Sequence, residues 1–417
     1  MAIKQPITVP PGVRRLCSAV RGAGGRALVV GGTVRDAVLG RASADVDLEV
    51  HGLPVDALRG VLSAQAPVSE VGRSFGVFKL RVDGAEIDVA LPRADSAAGE
   101  GVAGDPHIGV EAAARRRDLT INAMAWDPLE HALVDPLGGA ADAAAGRLRA
   151  ADPARFGEDP LRVWRVARFA GVLGFQPDPA LVSLCRGIDL SGLAAERVRR
   201  ELEKLLLGSP RPSVGWAVAV AVGAAAAWVP EAREGAGAAL DRAAVRRDLA
   251  GRAPRPLALM LTTLLADGAG GADGACAALD RLGIVRQGRF PLRDQVRVGV
   301  EVAGALSRPL ADGALRRLAD RAEVGLCCLA SAALHPAGAA DANALQAAML
   351  GVADAPLPAL LRGRDLVSLG VPAGPALGPL LAAVREAQLD GEVSDRDGAM
   401  RLAGRLWSER PDGPRGA

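Results

Sequence analysis

The sequence predicts an α+β fold in which a small mixed β-sheet forms an N-terminal head and an all-helical body follows. Three observations carry this. The chain has 417 residues, more than one hydrophobic core of roughly 250–300 residues holds, so two to four domains are expected. Short β-branched runs crowd the first third of the chain. From Asp152 onward they give way to helical periodicity rich in Ala, Leu and Arg.

The head reads in order. Ala27–Val30, Val46–Val50, Val77–Val82 and Glu86–Ala90 are expected strands. A Gly31-Gly32 turn between the first two opens a helix. Further on, the apolar run Trp216–Val229 is short of the ~20 residues of a membrane span and reads as a buried helix. Gly/Ala-rich stretches at Gly235–Ala239 and Asp267–Ala275 read as loops or joints.

Composition excludes several function classes. Half of the residues are hydrophobic and 24% are charged, a globular balance that argues against a disordered or fibrous chain. The formal net charge is only +2 and aromatics make up 3%, so neither a basic total nor a set of stacking platforms advertises nucleic acid. Lysine occurs only at Lys4, Lys79 and Lys204. Nearly all positive charge is therefore arginine, the residue suited to forked contacts with phosphate and base edges. Five cysteines, Cys17, Cys185, Cys276, Cys327 and Cys328, form no C-x-x-C or Cys/His cluster. A reducing, cytoplasmic setting without disulfide or zinc is expected, and Met1–Pro11 lacks the apolar core of a signal peptide.

Two features of the head carry chemistry. At Gly31-Gly32-Thr33-Val34-Arg35-Asp36 a strand ends, two glycines permit close backbone approach, and a helix N-terminus follows, which is a phosphate-binding arrangement or else a tight turn. In Asp45-Val46-Asp47 the two-residue strand period puts both carboxylates on one face. Paired carboxylates are a site for Mg²⁺, which takes oxygen ligands and shares them with substrate phosphates; an exposed strand also carries two aspartates innocently. Asp88, between Ile87 and Val89 on a later strand, would complete a two-metal clamp. Lys79 reads as a strand-edge charge. His51, His107 and His131 show no partner spacing.

Gly31-Gly32-x-Val34-Arg35-Asp36 with Asp45-x-Asp47 resembles the first motif of the class II tRNA nucleotidyltransferase and bacterial poly(A) polymerase family, within the polymerase-β superfamily. The other family motifs follow in order. Arg116-Arg117-Asp118-Leu119-Thr120-Ile121-Asn122-Ala123-Met124 resembles the second, and Asp135-Pro136-x-Gly138-Gly139 the hinge. Glu158-Asp159-Pro160-Leu161-Arg162-x-x-Arg165 resembles the base-selecting motif. Ala195-Glu196-Arg197-Val198-Arg199-Arg200-Glu201-Leu202 resembles the motif closing the neck, and Gly363–Leu366 through Gln388–Gly391 the tail.

The resemblance implies template-independent addition of CCA to tRNA from CTP and ATP, with Asp45 and Asp47 holding Mg²⁺ and Asp88 assisting. A poly(A) polymerase and an enzyme adding only CC or only A stay open. It further implies ribose and triphosphate contacts for Arg117, Asp118 and Asn122, the latter two at helical i,i+4 spacing. The triphosphate would lie against Gly31, Gly32 and Arg35, with Arg165 and Arg168 also on it. Trp164 and Phe169 on the same helix read as core. For base choice, Asp159 and Arg162 are expected three apart on one helix face. Cytosine and adenine both pair an amino donor with a ring-nitrogen acceptor, so one carboxylate and one guanidinium fit both, while uracil and guanine meet them in the wrong order. A plain i,i+3 salt bridge is the alternative.

Four segments are expected: the head at 1–150, a helical neck at 151–230 that selects the base, a body at 231–350 and a tRNA-docking tail at 351–417. Many bacterial relatives carry a phosphohydrolase domain with a metal-binding His-Asp dyad. Leu257–Gly268 is similar to its context, but Ala266 occupies the His position, so this activity is expected to be absent. Arginine-dense stretches at 115–117, 162–168 and 197–200 are expected to hold RNA through phosphates. No membrane partner is expected, and nothing fixes an oligomeric state.

Overall fold

The computed structural model describes residues 7, 9–42, 46–70, 77–92, 104–249 and 255–410. The chain divides into two compact units, Met1–Ala194 with Val214–Ala224, and Ala195–Ser213 with Ala225–Ala417.

The first unit is built on helix α1 (Pro11–Gly22), strand β1 (Arg26–Val30), α2 (Gly32–Leu39), β2 (Val46–His51), α3 (Val55–Ser63), β3 (Val68–Glu70), β4 (Val77–Val82) and β5 (Ala85–Ala90). It continues with α4 (Val110–Arg115), β6 (Ala125–Asp127), β7 (Ala132–Val134), α5 (Gly139–Ala144), β8 (Arg147–Leu148), α6 (Arg162–Leu173), β9 (Gln176–Pro177) and α7 (Pro179–Arg186). Seven strands form one mixed sheet in the order β3-β4-β5-β2-β1-β6-β7, and β8 pairs with β9 in a second, two-stranded sheet. All four expected strands are present within a residue of their predicted bounds.

Alternation along the strands decides which face holds the core. Leu48, Val89 and Phe78 are register partners across β2, β5 and β4, as are Val46, Ile87 and Leu80, and all six are buried. The intervening residues therefore share the opposite face. Asp47, Asp88 and Lys79 are among them. Val13, Leu16 and Val20 of α1 and Leu58 and Leu62 of α3 complete the buried layer.

The second unit is helical: α8 (Ala195–Gly208), the start of α9 (Pro212–Ala221), α10 (Ala224–Trp228), α11 (Gly237–Leu249), α12 (Pro256–Leu265), α13 (Gly271–Arg281) and α14 (Leu292–Leu306). It ends with α15 (Asp312–Ala319), α16 (Val324–Leu334), α17 (Ala340–Met349), α18 (Gly363–Ser368), α19 (Leu377–Asp390) and α20 (Arg396–Ser408). Val298, Leu315, Val324, Cys327 and Val352 join one core. Leu366, Leu380, Val384, Ala403 and Trp407 join another near the C-terminus.

Two local expectations are corrected. The run Trp216–Val229 is not one helix, because Gly223 adopts φ +80° between α9 and α10, a conformation that ends a helix. The stretches 235–239 and 267–275 are largely helical: a 3-10 turn at Glu234–Ala236 leads straight into α11 at Gly237, and α13 begins at Gly271. No helix among the described residues is long and apolar enough to cross a membrane. All five cysteines are free and buried. Burial pushes the thiols of Cys17, Cys185, Cys327 and Cys328 up to about 12, which leaves them un-ionised at neutral pH.

Candidate active site

The turn after β1 has the geometry a phosphate needs. Gly31 adopts φ +79°, ψ −140°, and α2 begins at the next residue. A Cβ on Gly31 would stand 3.6 Å from Asp47 Oδ2, so the turn and the carboxylate are immediate neighbours. At this φ a side chain is strained. Gly31→Ala should lower unfolding free energy by about 1–3 kcal/mol, measurable by urea titration, and a smaller change would mean that the turn relaxes.

Asp47 and Asp88 are register partners on the parallel pair β2 and β5, and Lys79 partners Asp88 across β4 and β5. The three side chains thus form a row along one face, with neighbouring strands about 4.8 Å apart. Lys79 is not at the sheet edge, since β3 lies outside β4. Its Nζ donates to both Asp88 oxygens at 2.8 Å, and those hydrogen bonds raise its pKa. Asp45 lies outside the described residues. The visible donors are solvent-accessible carboxylates without sulfur or imidazole, a set that suits a hard divalent cation.

Glu49, two residues beyond Asp47, takes part as well. Arg117 Nη2 donates to Glu49 Oε2 at 2.6 Å, and the His51 ring bridges Glu49 Oε1 at 3.2 Å and the Ile108 carbonyl at 3.0 Å. Burial opposes the Glu49 charge, but the His51 hydrogen bond and the Arg117 guanidinium outweigh it and hold the carboxyl below its usual range. The same two-residue period that pairs Asp45 with Asp47 would have singled out Glu49.

A chain of hydrogen bonds joins α2 to α6. Arg35 Nε donates to Asp36 Oδ1 at 2.9 Å and Arg35 Nη1 to Asn122 Oδ1 at 2.9 Å. Asn122 Nδ2 donates to Asp118 Oδ1 at 3.0 Å, and Arg165 Nε to Asp118 Oδ2 at 2.6 Å. Asp118 also accepts from Leu119 N–H at 2.7 Å. Burial pushes its carboxyl up, yet Arg165, Asn122 and Leu119 together hold it below the ordinary value. The expected α-helical placement of Asp118 and Asn122 is corrected: Asp118 precedes the strand-like Leu119, and Asn122 ends the 3-10 turn Thr120–Asn122. Arg117 points its guanidinium to Glu49 rather than into this chain.

The placement of Asp159 is also corrected. It is extended, with φ −127° and ψ 99°, and α6 starts only at Arg162. Asp159 Oδ1 accepts from Leu161 N–H at 3.1 Å. Arg162 is fixed by two carbonyls, donating to Arg155 O at 2.9 Å and Arg116 O at 2.7 Å, and burial lowers its pKa. Two of its five N–H donors are engaged in this way, which sets the plane of the fork. Trp164 and Phe169 are core residues, 0% and 3% exposed.

Sequence reasoning missed a buried carboxylate behind the site. Asp142, 0% exposed, accepts from Thr120 Oγ1 at 2.6 Å, Arg147 Nε at 2.7 Å and Arg149 Nε at 3.0 Å. In the hinge segment Asp135 caps α5 through Gly139 N–H and Ala140 N–H at 2.7 and 2.9 Å. Any Cβ at Gly139 would collide with the Thr120 carbonyl. In the second unit Ala266 is 3% exposed where α12 ends.

The glycine turn and the carboxylate row on the adjacent strand fall within residues 27–149, which match the model of the poly A polymerase head domain. Nucleotidyltransferases of this fold use divalent metal ions. The chain is similar in sequence to curated CCA proteins and in fold to solved CCA-adding enzymes. It is 40% identical over 214 residues to a multifunctional CCA protein of Ectopseudomonas mendocina, covering 48% of this chain and 50% of that protein. A CCA-adding enzyme of Pseudomonas putida is 40% identical over 230 residues, 52% of this chain and 60% of its own length. The chain thus spans about half the length of the curated relatives it matches. The fold is similar along almost the whole chain to the Bacillus stearothermophilus CCA-adding enzyme in complex with CTP. There the TM-score is 0.72 at 24% identity, covering 95% of this chain and 98% of that one. The Thermotoga maritima CCA-adding enzyme complexed with tRNA aligns with a TM-score of 0.65 at 21% identity, covering 95% and 96%.

Proposed function

We propose that the chain is a template-independent tRNA nucleotidyltransferase that adds CCA to tRNA 3′ ends from CTP and ATP, releasing pyrophosphate. The observation that supports this most is the register pairing of Asp47 with Asp88 beside the Gly31 turn. Asp47, with Asp45, would hold Mg²⁺, and Asp88 stands beside Asp47. When bound, the divalent ions would activate the 3′-hydroxyl and neutralise the triphosphate. The protein's own groups do the rest. The N-terminal end of α2 and the Arg35, Arg165 and Arg168 guanidiniums receive the triphosphate. Arg117, Asp118 and Asn122 set the ribose and the arginines around it.

In this reading residues 1–150 are the catalytic head, 151–230 the base-selecting neck, 231–350 a body that has lost its phosphohydrolase function, and 351–417 a tRNA-docking tail, acting in the cytoplasm. Arg162 offers its remaining N–H donors to the ring nitrogen of cytosine or adenine, and Asp159 accepts from the amino group. Arg162→Ala should cost about tenfold to a hundredfold in discrimination against UTP and GTP, read from incorporation assays with all four nucleotides. Unchanged selectivity would place base choice elsewhere.

Many guanidiniums of the arginine-dense stretches already face carboxylates: Arg115 with Glu111, Arg199 with Glu203 and Arg200 with Glu196. Such surface pairs are weak, about 0–1 kcal/mol, so RNA phosphates can replace them. tRNA affinity should fall steeply with salt.

The deciding experiment incubates the protein with tRNA lacking CCA and with CTP and ATP, separately and together, and sequences the products. Ordered C, C and A addition supports the proposal. Long A tails, or arrest after CC, would identify a poly(A) polymerase or a partial adder, and no addition would overturn the reading.

A further inference from the structure

The aromatic ring of Phe169 has charged company unusual for a core residue. The guanidinium carbon of Arg168 lies 3.8 Å from its centroid, that of Arg35 5.2 Å and that of Arg165 5.6 Å. All are within the ~6 Å at which a ring quadrupole attracts a cation. Three like charges on one ring repel each other, and the repulsion is strong here because Arg35 is largely buried, its side chain 13% exposed. Arg35 also abuts the glycine turn, its Nη2 standing 3.5 Å from the position of a Cβ on Gly32.

We propose that Phe169 is a positioning residue for triphosphate binding, a shared cation–π platform that holds Arg35, Arg165 and Arg168 together beside the Gly31-Gly32 turn. The inference deepens the proposed function and rests on it. Asp36 and Asp118 orient two of the guanidiniums, those of Arg35 and Arg165, through hydrogen bonds. The ring serves all three at once. A polyanion then meets positive charge already collected, and little side-chain order remains to be imposed on binding. An aliphatic residue would fill the volume and supply no quadrupole, so packing and positioning can be separated.

The test places mono-, di- and trifluorinated phenylalanine at position 169 alone, since fluorine withdraws the ring's negative face while nearly keeping its shape. ATP affinity is read by calorimetry, KM and kcat by turnover, and folding by thermal melts. The dissociation constant and KM should rise stepwise with fluorination, reaching roughly fivefold to tenfold for the trifluoro ring and Phe169→Leu. Melting temperature and kcat should stay near the parent's across the fluorinated series. Saturable ATP binding that ignores fluorination overturns the role of Phe169 and leaves the proposed function standing. Absence of ATP binding in the unmodified protein overturns both.

Discussion

Asp47→Asn should reduce nucleotide addition by about 10³-fold or more while leaving tRNA binding nearly unchanged. The substitution keeps the shape of the side chain and removes one negative charge where positive charge must gather. Folding should not suffer, because Asp47 is exposed on β2 and exposed positions usually shift stability by less than about 0.5 kcal/mol. Asp88→Asn offers a graded comparison. Its carboxylate already shares its charge with Lys79, so its loss should cost less than that of Asp47. Pyrophosphate release and filter binding of tRNA, measured on both variants, decide the matter. Turnover by Asp47→Asn within tenfold of the parent would exclude the carboxylate row as the reaction centre.

The parts of this site legible in the sequence are those fixed by local periodicity. A strand repeats every two residues whatever surrounds it, which is why Asp47 and Asp88 could be set on strands and the Gly31 turn at a helix start. What the period leaves open is register. The alignment of Asp88 with Asp47 on one side and with Lys79 on the other depends on pairing between segments about 40 residues apart in one case, and no local signal encodes it. The short strands β3, β6 and β7, three residues each, exist for the same reason: a neighbour supplies their hydrogen bonds.

Asp159 illustrates a signal present but outweighed. Its spacing from Arg162 suggests one helix face, yet Pro160 follows it, and a residue before proline is driven out of the α region. The observed ψ of 99° is that effect. The pair proposed to select the base therefore straddles a helix start, with Arg162 anchored on the carbonyls of Arg155 and Arg116. The near-neutral charge total has a structural counterpart too. Arginines such as Arg117, Arg165 and Arg35 are held by Glu49, Asp118 and Asp36, so acids cancel them in the sum because acids orient them in the fold.

Asp142→Ala should destabilise the first unit by about 3 kcal/mol at neutral pH, the range found when one partner of a buried ion cluster is removed. Thr120, Arg147 and Arg149 all donate to this fully buried carboxylate, and they would be left without their acceptor. Burial alone would raise the Asp142 pKa, but hydrogen bonds from Thr120, Arg147 and Arg149 prevail and hold it below its usual value. A carboxyl with a lowered folded pKa contributes stability that is complete above its unfolded value near 4 and is lost as pH falls through the folded value. The gap between parent and variant should therefore be widest above about pH 5 and narrow below about pH 4. Urea titrations at pH 7 and pH 3.5 measure it. Activity should fall as well, because Asp142 anchors Thr120 at the head of the 3-10 turn whose last residue, Asn122, links Arg35 to Asp118. A gap under about 1 kcal/mol at pH 7, or one that does not shrink in acid, would show that the carboxylate is not the electrostatic anchor of that turn.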